Sequence, residues 1–586
     1  MAMAGEKSPA QQIKPEDAAA HAGAGTMTSG GALLSRLKAL GIDCIFANSG
    51  TDFPPIIEGL AEAEANGIEL PKSFIIPHES AAMGMAHGYY LATGKTAAVM
   101  AHTNVGLANC AIGAINAATE HVPMLLFSGR TPTTEKGRFG SRTVPIGWGQ
   151  EMRDQSALVR EACKWDYELR FPEQAVETAD RAKAIAETAP RGPVYVSLPR
   201  EVLCEQAPTD QLALPPIMQP ARLGVNDADF ETAARWIAEA ENPVIFAQHG
   251  AGGPDGFSAL AQLAEAWGIP VCQYWAVQCA LNPDHPMATA APPAPLLEKA
   301  DVVLVIDCLA PWAPDAHGPR PGAKVIHLGQ DPLFSRFPVR NFQCDLALVA
   351  DVEPGLLVLK QKLGSYTPPA CAETRRKAWA ETNRASREKA IASAQAGKRD
   401  PMTKTWVSYC LSEALKGRES SVFSELGCPM DALSLNHPRS WYQEPHSGGL
   451  GWSFPAALGM KIGAPELTVA ATMGDGSYIF SNPVACHQIA EAYRIPILVV
   501  ILNNAEWGAV RQSVLGLYPD GYAARSNQVP LTGLSPVPDF AAVAQASRCF
   551  GRRVDHGADL PGALRNALAH IDQTGTLALL DVQVAP

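Results

Sequence analysis

No apolar run in this sequence is long enough to cross a bilayer, which excludes a membrane-spanning helix. Basic runs are missing too, and the net charge is −12. A nucleic-acid partner, which usually needs a basic face, is not expected. The 13 cysteines are scattered, with no CxxC pair and no zinc-like spacing. That distribution suits buried, inert thiols in a reducing cytoplasm. Residues 1–26 are Ala/Gly-rich and lack a positively charged start followed by an apolar core. They read as a disordered or tag-derived arm rather than a secretory signal.

What is present is the material of large cores. The chain has 586 residues, of which 47% are hydrophobic and 18% charged. Three blocks, 27–204, 221–365 and 402–586, each alternate strand-like and helix-like segments. In the first, "IDCIFAN", "KTAAVMAH", "VPMLLFSG" and "GPVYVSLP" read as strands. "IPILVVILNN" in the third is a continuous apolar, β-branched run, as expected of a strand buried on both faces. A Pro-rich linker (205–220) and a charged helical stretch (372–396) separate the blocks. Alternation of this kind predicts an α/β fold of three doubly wound domains with parallel sheets.

Within "FIIPHESAAMGMAHGYYLATG" (74–94), Glu79 sits between a short apolar strand and a tightly packed helix. A carboxylate there needs a partner. Far along the chain, "MGDGSYIFSNPVACHQIAEAYRIPILVVILNN" (473–504) places Gly474-Asp475-Gly476-Ser477 past one strand and Asn503-Asn504 at the end of the next. The glycines are expected to form a turn, to adopt positive φ and to let a ligand approach the backbone. Asp475 and the asparagine oxygens, with backbone carbonyls and diphosphate oxygens, would make an octahedral oxygen site suited to Mg²⁺. Parallel sheets bind ligands at this edge, and helix N-termini there receive phosphate.

GDGS followed by a helix, an apolar strand and NN resembles the thiamine diphosphate-dependent enzymes of the pyruvate oxidase/decarboxylase superfamily. The resemblance covers nearly the whole chain after residue 26 and implies pyrimidine-binding, central and diphosphate-binding domains in that order. It implies that Glu79 hydrogen-bonds N1′ of the cofactor's aminopyrimidine, so that its partner is the cofactor and not a protein side chain. His78 has no assigned role. Asp475, Asn504 and the Glu506 carbonyl would bind Mg²⁺, with Gly474, Gly476, Ser477, Trp507 and Gly508 beside the cofactor. "HSGGLGWSFPAALG" (446–459) resembles the segment that bends the cofactor, with Leu450 as apolar wedge and the Gly448 carbonyl as acceptor. "FSELGCPMD" (423–431) matches a diphosphate loop in which Gly427 and Cys428 would offer backbone contacts. The active site would lie between subunits of a homodimer or homotetramer.

On the substrate side, "GGLGWSFPAA" is similar to benzoylformate decarboxylase, and Thr51 and His102 stand where that enzyme has a Ser and a His. The resemblance implies that His102 donates to the substrate carbonyl or protonates the decarboxylated product, as an imidazole can near neutrality. His317, in "APWAPDAHGPRPG", falls near the place of a second histidine. Ala509 and Ser513 are small where the substrate would lie, and Arg511 is a possible partner for its carboxylate. "WGQEMRDQ" (148–155) is similar to a Gln-Glu segment of synthases and oxidases, with no role assigned. No flavin fingerprint is apparent. The expected activity is cleavage or formation of a C–C bond, most directly decarboxylation of a small-molecule 2-oxo acid. The alternatives are an acetolactate synthase-like carboligase, a 2-hydroxyacyl lyase and, more remotely, a non-catalytic binding or regulatory subunit.

Overall fold

The computed structural model describes residues 26–585 apart from 211, 213 and 527. The expected N-terminal arm therefore falls outside the described residues, except for Thr26. Three six-stranded sheets organise the chain, and every ladder within them is parallel.

The first domain begins with β1 (Thr26–Thr28) and continues through β2 (Cys44–Ala47), β3 (Lys72–Ile75), β4 (Ala97–Ala101), β5 (Met124–Arg130), β6 (Asp166–Glu168) and β7 (Pro193–Pro199). Its sheet order is β3-β2-β4-β5-β7-β6, while β1 pairs antiparallel with β8 (Gln206–Pro208). The central domain uses β9 (Pro243–Ala247), β10 (Val271–Cys272), β11 (Ala288–Thr289), β12 (Val302–Ile306), β13 (Lys324–Gly329) and β14 (Leu346–Val349) in the order β11-β10-β9-β12-β13-β14. The third uses β15 (Ser420–Glu425), β16 (Trp441–Gln443), β17 (Thr468–Gly474), β18 (Leu498–Asn503), β19 (Phe550–Val554) and β20 (Ala578–Gln583) in the order β16-β15-β17-β18-β20-β19.

The central strands are buried throughout, as in AAVMA of β4, VVLVI of β12 and LVVILN of β18. Helices cover both faces, so these strands need no polar alternation. The 372–396 stretch lies within a helix, Ala370–Ala396.

The first and third domains share a core through the helices Glu79–Thr93 and Ser453–Gly463. Their backbones approach so closely that a Cβ on Gly88 would lie 1.8 Å from the Ala456 carbonyl oxygen. One on Gly459 would lie 2.0 Å from that of Met85. Small residues permit the contact, and it fixes Glu79 relative to the segment before Ser453.

The Pro-rich linker is not a free spacer. Buried Arg36 forms a two-pronged pair with Asp180 and donates to the carbonyls of Leu212 and Leu214. A buried guanidinium needs this full set of acceptors.

Candidate active site

Glu79 opens its helix at the end of the β3 crossover and is buried. His78 is the N-cap residue, and its Nδ1 accepts from the Ser80 backbone N–H at 3.3 Å. Asn482 of the third domain donates to the Ser80 hydroxyl at 3.1 Å. His78 thus positions the first turn that carries Glu79, the role the sequence leaves blank. Glu79 also has a protein partner, contrary to expectation: Asn109 Nδ2 donates to Oε2 at 3.0 Å. Oε1 accepts no bond among the described residues and lies beside Gly106, where a Cβ would come within 2.7 Å of it.

His102 stands at the end of β4 as N-cap of the helix Thr103–Thr119, the helix that supplies Gly106 and Asn109. Thr51 does not meet it. Thr51 is exposed, and its carbonyl accepts from Arg200. The next residue, buried Asp52, makes a short hydrogen bond to His102 Nδ1 and also accepts from the Thr103 N–H. Space is kept for this pair by glycine: a Cβ on Gly50 would collide with the imidazole and one on Gly129 with the Asp52 carboxylate. Gln150 Nε2 lies 3.1 Å from His102 Nε2, which gives part of the 148–155 segment a place. With Nδ1–H directed at Asp52, the neutral ring accepts from Gln150 through Nε2; a protonated ring needs the amide turned.

The Asp52 hydrogen bond raises the pKa of His102 against the opposing effect of burial, and the charge of Glu79 adds to the rise. A raised pKa keeps the ring protonated to higher pH. Asp52→Asn is therefore expected to move the His102-dependent limb of the pH–rate profile to lower pH. A limb that stays in place would show that Asp52 does not set the titration.

The segment Gly474–Ser477 departs from the expected turn. Asp475 begins a short helix, Asp475–Phe480, immediately after β17, and neither Gly474 nor Gly476 has positive φ. Gly476 is required for a different reason, because a Cβ there would lie 2.1 Å from the Trp507 ring. Asp475 is 2% exposed. Its Oδ1 accepts from the Gly476 N–H at 2.9 Å, whereas Oδ2 is buried with no hydrogen-bond partner among the described residues. Burial raises its pKa.

Asn503 turns inward to bond Asp581 at 3.0 Å, so Asn504 alone of the pair faces the cleft. The Glu506 carbonyl accepts from Gly508 N, and its carboxylate accepts from Thr532 and pairs with Arg511. Arg511 does not itself line the cleft, but the Glu506 it pairs with does.

Gly427, Cys428, Leu450, Gly474–Ser477, Asn504 and Glu506–Gly508 line one cleft of about 830 Å³. The Cys428 side chain is buried and burial pushes its thiol up to about 11, so only backbone is on offer there. Sequence reading missed charged members of the cleft, Lys404 and Glu444 among them. Burial lowers the Lys404 pKa, which the charge of Asp475 partly offsets. Burial also pushes the Glu444 carboxyl up to about 7.

Beneath the 446–459 segment, Glu425 accepts from the N–H groups of Gly451, Trp452 and Ser453, closing the helix N-terminus. Asn116 donates to the Gly449 carbonyl at 2.9 Å. Gly448 has φ +68°, in the region that favours glycine. His317 does not itself line the cleft; it sits in a local turn where Nδ1 accepts from Ala313 N, and its ring packs edge-on against Tyr274, which does line it. No residue of the first domain lines the cleft, so Glu79 and His102 do not face Asp475 across it within one chain.

The cleft suits a divalent cation: one buried carboxylate oxygen is unpartnered among the described residues, and an amide and a lysine line the same cleft. Family models described as thiamine pyrophosphate enzyme N-terminal TPP binding domain, central domain and C-terminal TPP binding domain match residues 27–158, 230–361 and 426–582. A probable acetolactate synthase large subunit of Methanocaldococcus jannaschii is 26% identical, over 95% of this chain and 91% of its own. A probable 2-ketoarginine decarboxylase of Pseudomonas aeruginosa is also 26% identical, over 94% and 93%. The solved thiamine diphosphate-dependent 4-hydroxybenzoylformate decarboxylase of Rhodococcus jostii RHA1 has the same fold, with TM-score 0.75 and 22% identity over 95% of this chain and 99% of its own. Three matched domains in family order, together spanning most of the molecule, place the chain in the thiamine pyrophosphate (thiamine diphosphate) enzyme family.

Proposed function

We propose that the protein decarboxylates a small 2-oxo acid with thiamine diphosphate and Mg²⁺, releasing an aldehyde or joining it to an acceptor. The observation that carries the reading is the unpartnered Asp475 Oδ2 in a cleft shared with Asn504 and Lys404. Asp475, Asn504 and the second lone pair of the Glu506 carbonyl would hold Mg²⁺. Backbone N–H groups at Gly427 and Gly476–Ser477, with Lys404, would meet the diphosphate, and Leu450 would support the rings. When bound, the cofactor supplies the electron sink for cleavage beside a carbonyl. The chain's own part is to hold a proton at Glu79 and to present His102 Nε2 to substrate, with Asp52 fixing the ring.

The separation of Glu79 from the Asp475 cleft supports a site shared between two copies. The helix Thr103–Thr119 exposes Val105, Ile112 and Ile115 alongside Asn109, an apolar face suited to covering by a second subunit. A homodimer is the minimum assembly under this reading.

Among the relatives, one is named for decarboxylating a 2-keto acid and others for making acetolactate. A carboligase therefore remains the second reading, and the engaged Arg511 and the open cleft do not choose the substrate.

The test is CO₂ release from a panel of 2-oxo acids, with and without aldehyde acceptors, in the presence of thiamine diphosphate and Mg²⁺. Aldehyde as the product of the preferred acid supports decarboxylation. Acetolactate from pyruvate alone transfers the assignment to a synthase. Cofactor binding without turnover of any 2-oxo acid would reduce the protein to a binding or regulatory subunit.

A further inference from the structure

Where the three domains meet, three side chains converge away from the Asp475 cleft. Glu120 ends the helix Thr103–Thr119 in the first domain, His249 follows β9 in the central domain, and His446 opens the 446–459 segment in the third. Their ligand-capable atoms all lie within 4.8 Å of one another. Side chains of Glu120 and His249 are 7% and 9% exposed. His249 directs Nδ1–H at the Asp307 carbonyl, and His446 directs Nε2–H at the Trp275 carbonyl at 2.8 Å. Each far nitrogen is therefore a donor, which leaves the inward nitrogens, His249 Nε2 and His446 Nδ1, as lone-pair atoms when the rings are neutral.

Both inward nitrogens are buried and without a hydrogen-bond partner among the described residues. His249 Nε2 is 2.8 Å from a Glu120 carboxylate oxygen, yet it is not aligned for a hydrogen bond. Histidines whose outer N–H is fixed by a carbonyl while the inner nitrogen points into a cluster have the pattern of metal ligands. A cavity of about 240 Å³, lined in part by Glu120, His249, His121 and Gln278, adjoins the group.

We propose that Glu120, His249 and His446 bind a zinc-type divalent cation that joins the three domains. Two imidazoles and one carboxylate suit Zn²⁺ and disfavour Mg²⁺, which separates this centre from the all-oxygen site at Asp475. Side-chain adjustments of less than about 1 Å bring all three atoms to Zn–N and Zn–O distances of roughly 2.0–2.2 Å. Three protein ligands leave a fourth position for water. Without a cation His249 and Glu120 face each other as a pair: burial opposes the charge on His249, and the charges of Glu120 and Asp307 outweigh it.

The test uses full-length protein stripped by a chelator, re-equilibrated with Zn²⁺ or Co²⁺ in excess Mg²⁺ and freed of unbound metal. Wild type and Asp475→Asn are expected to retain about one Zn²⁺ per chain, and cobalt to give the intense visible bands of four-coordinate geometry. His446→Ala and Glu120→Gln, checked for native far-ultraviolet circular dichroism, should retain less than about a tenth of that. Zinc should raise the thermal midpoint of wild type and leave that of His446→Ala unmoved. If wild type retains no zinc, or no more than His446→Ala, the cluster is an ion pair only and the proposal fails. Should the variants not fold, wild-type stoichiometry and the cobalt spectrum still decide it.

Discussion

Glu79→Gln is expected to lower turnover by about 10²–10⁴-fold while leaving the fold and cofactor binding in place. The substitution keeps shape and volume at a site with little room, since Gly106 closes against one oxygen and Asn109 donates to the other. A glutamine can still accept from Asn109 through its own oxygen. The cap that positions the residue, His78 with Ser80 and Asn482, does not involve the carboxyl. What is lost is the ability to hold and release a proton at Oε1, the oxygen that accepts no bond among the described residues. CO₂ release measured beside a thiamine diphosphate binding titration separates the two effects. Full turnover in the variant would end the assignment of Glu79. Lost binding with lost turnover would instead make it a structural support of the cofactor.

The division between what the sequence reveals and what it hides has a physical pattern here. The three α/β domains are legible because a strand covered on both faces, such as LVVILN, must be continuously apolar. Glu79, Asp475 and Asn504 are legible because each lies at the end of a strand, where a short local motif fixes its place. Asp52 is missed although it adjoins Thr51. Which of two neighbouring side chains turns inward depends on the local backbone, and the sequence marks it only by the glycines at 50 and 129 that clear the space. Gln150 is quoted in a motif, but its partner is separated from it by a helix, a strand and a short second helix. The positive φ expected of the GDGS glycines does not occur: Trp507, not backbone conformation, excludes a side chain at Gly476. His78 is obscured by the ordinary preference for Ser, Thr, Asp or Asn at a cap. The Glu120–His249–His446 cluster has no linear signature, because each residue comes from a different domain.

Asp475→Asn is expected to separate function from stability by moving them in opposite directions. Asn keeps the oxygen that accepts from the Gly476 N–H and replaces only the unpartnered Oδ2. In the cofactor-free protein, Oδ2 is buried without a hydrogen-bond partner among the described residues, and the charge of Lys404 offsets its burial only in part, which leaves a cost of about 1–3 kcal/mol for an unsatisfied polar group. A neutral amide in the same space costs less. The cofactor-free variant should thus melt no lower than cofactor-free wild type. Mg²⁺-dependent binding of thiamine diphosphate should weaken by more than about 100-fold, since an amide nitrogen cannot ligate the cation. Thermal shifts with and without thiamine diphosphate and Mg²⁺ read both quantities on one instrument: a large ligand-induced shift in wild type, almost none in the variant, and equal or higher baselines for the variant. A variant that melts well below wild type without ligand would mean that Oδ2 has a structural partner. One that keeps the full ligand-induced shift would remove Asp475 from the metal site and, with it, the observation on which the cofactor reading of the cleft rests.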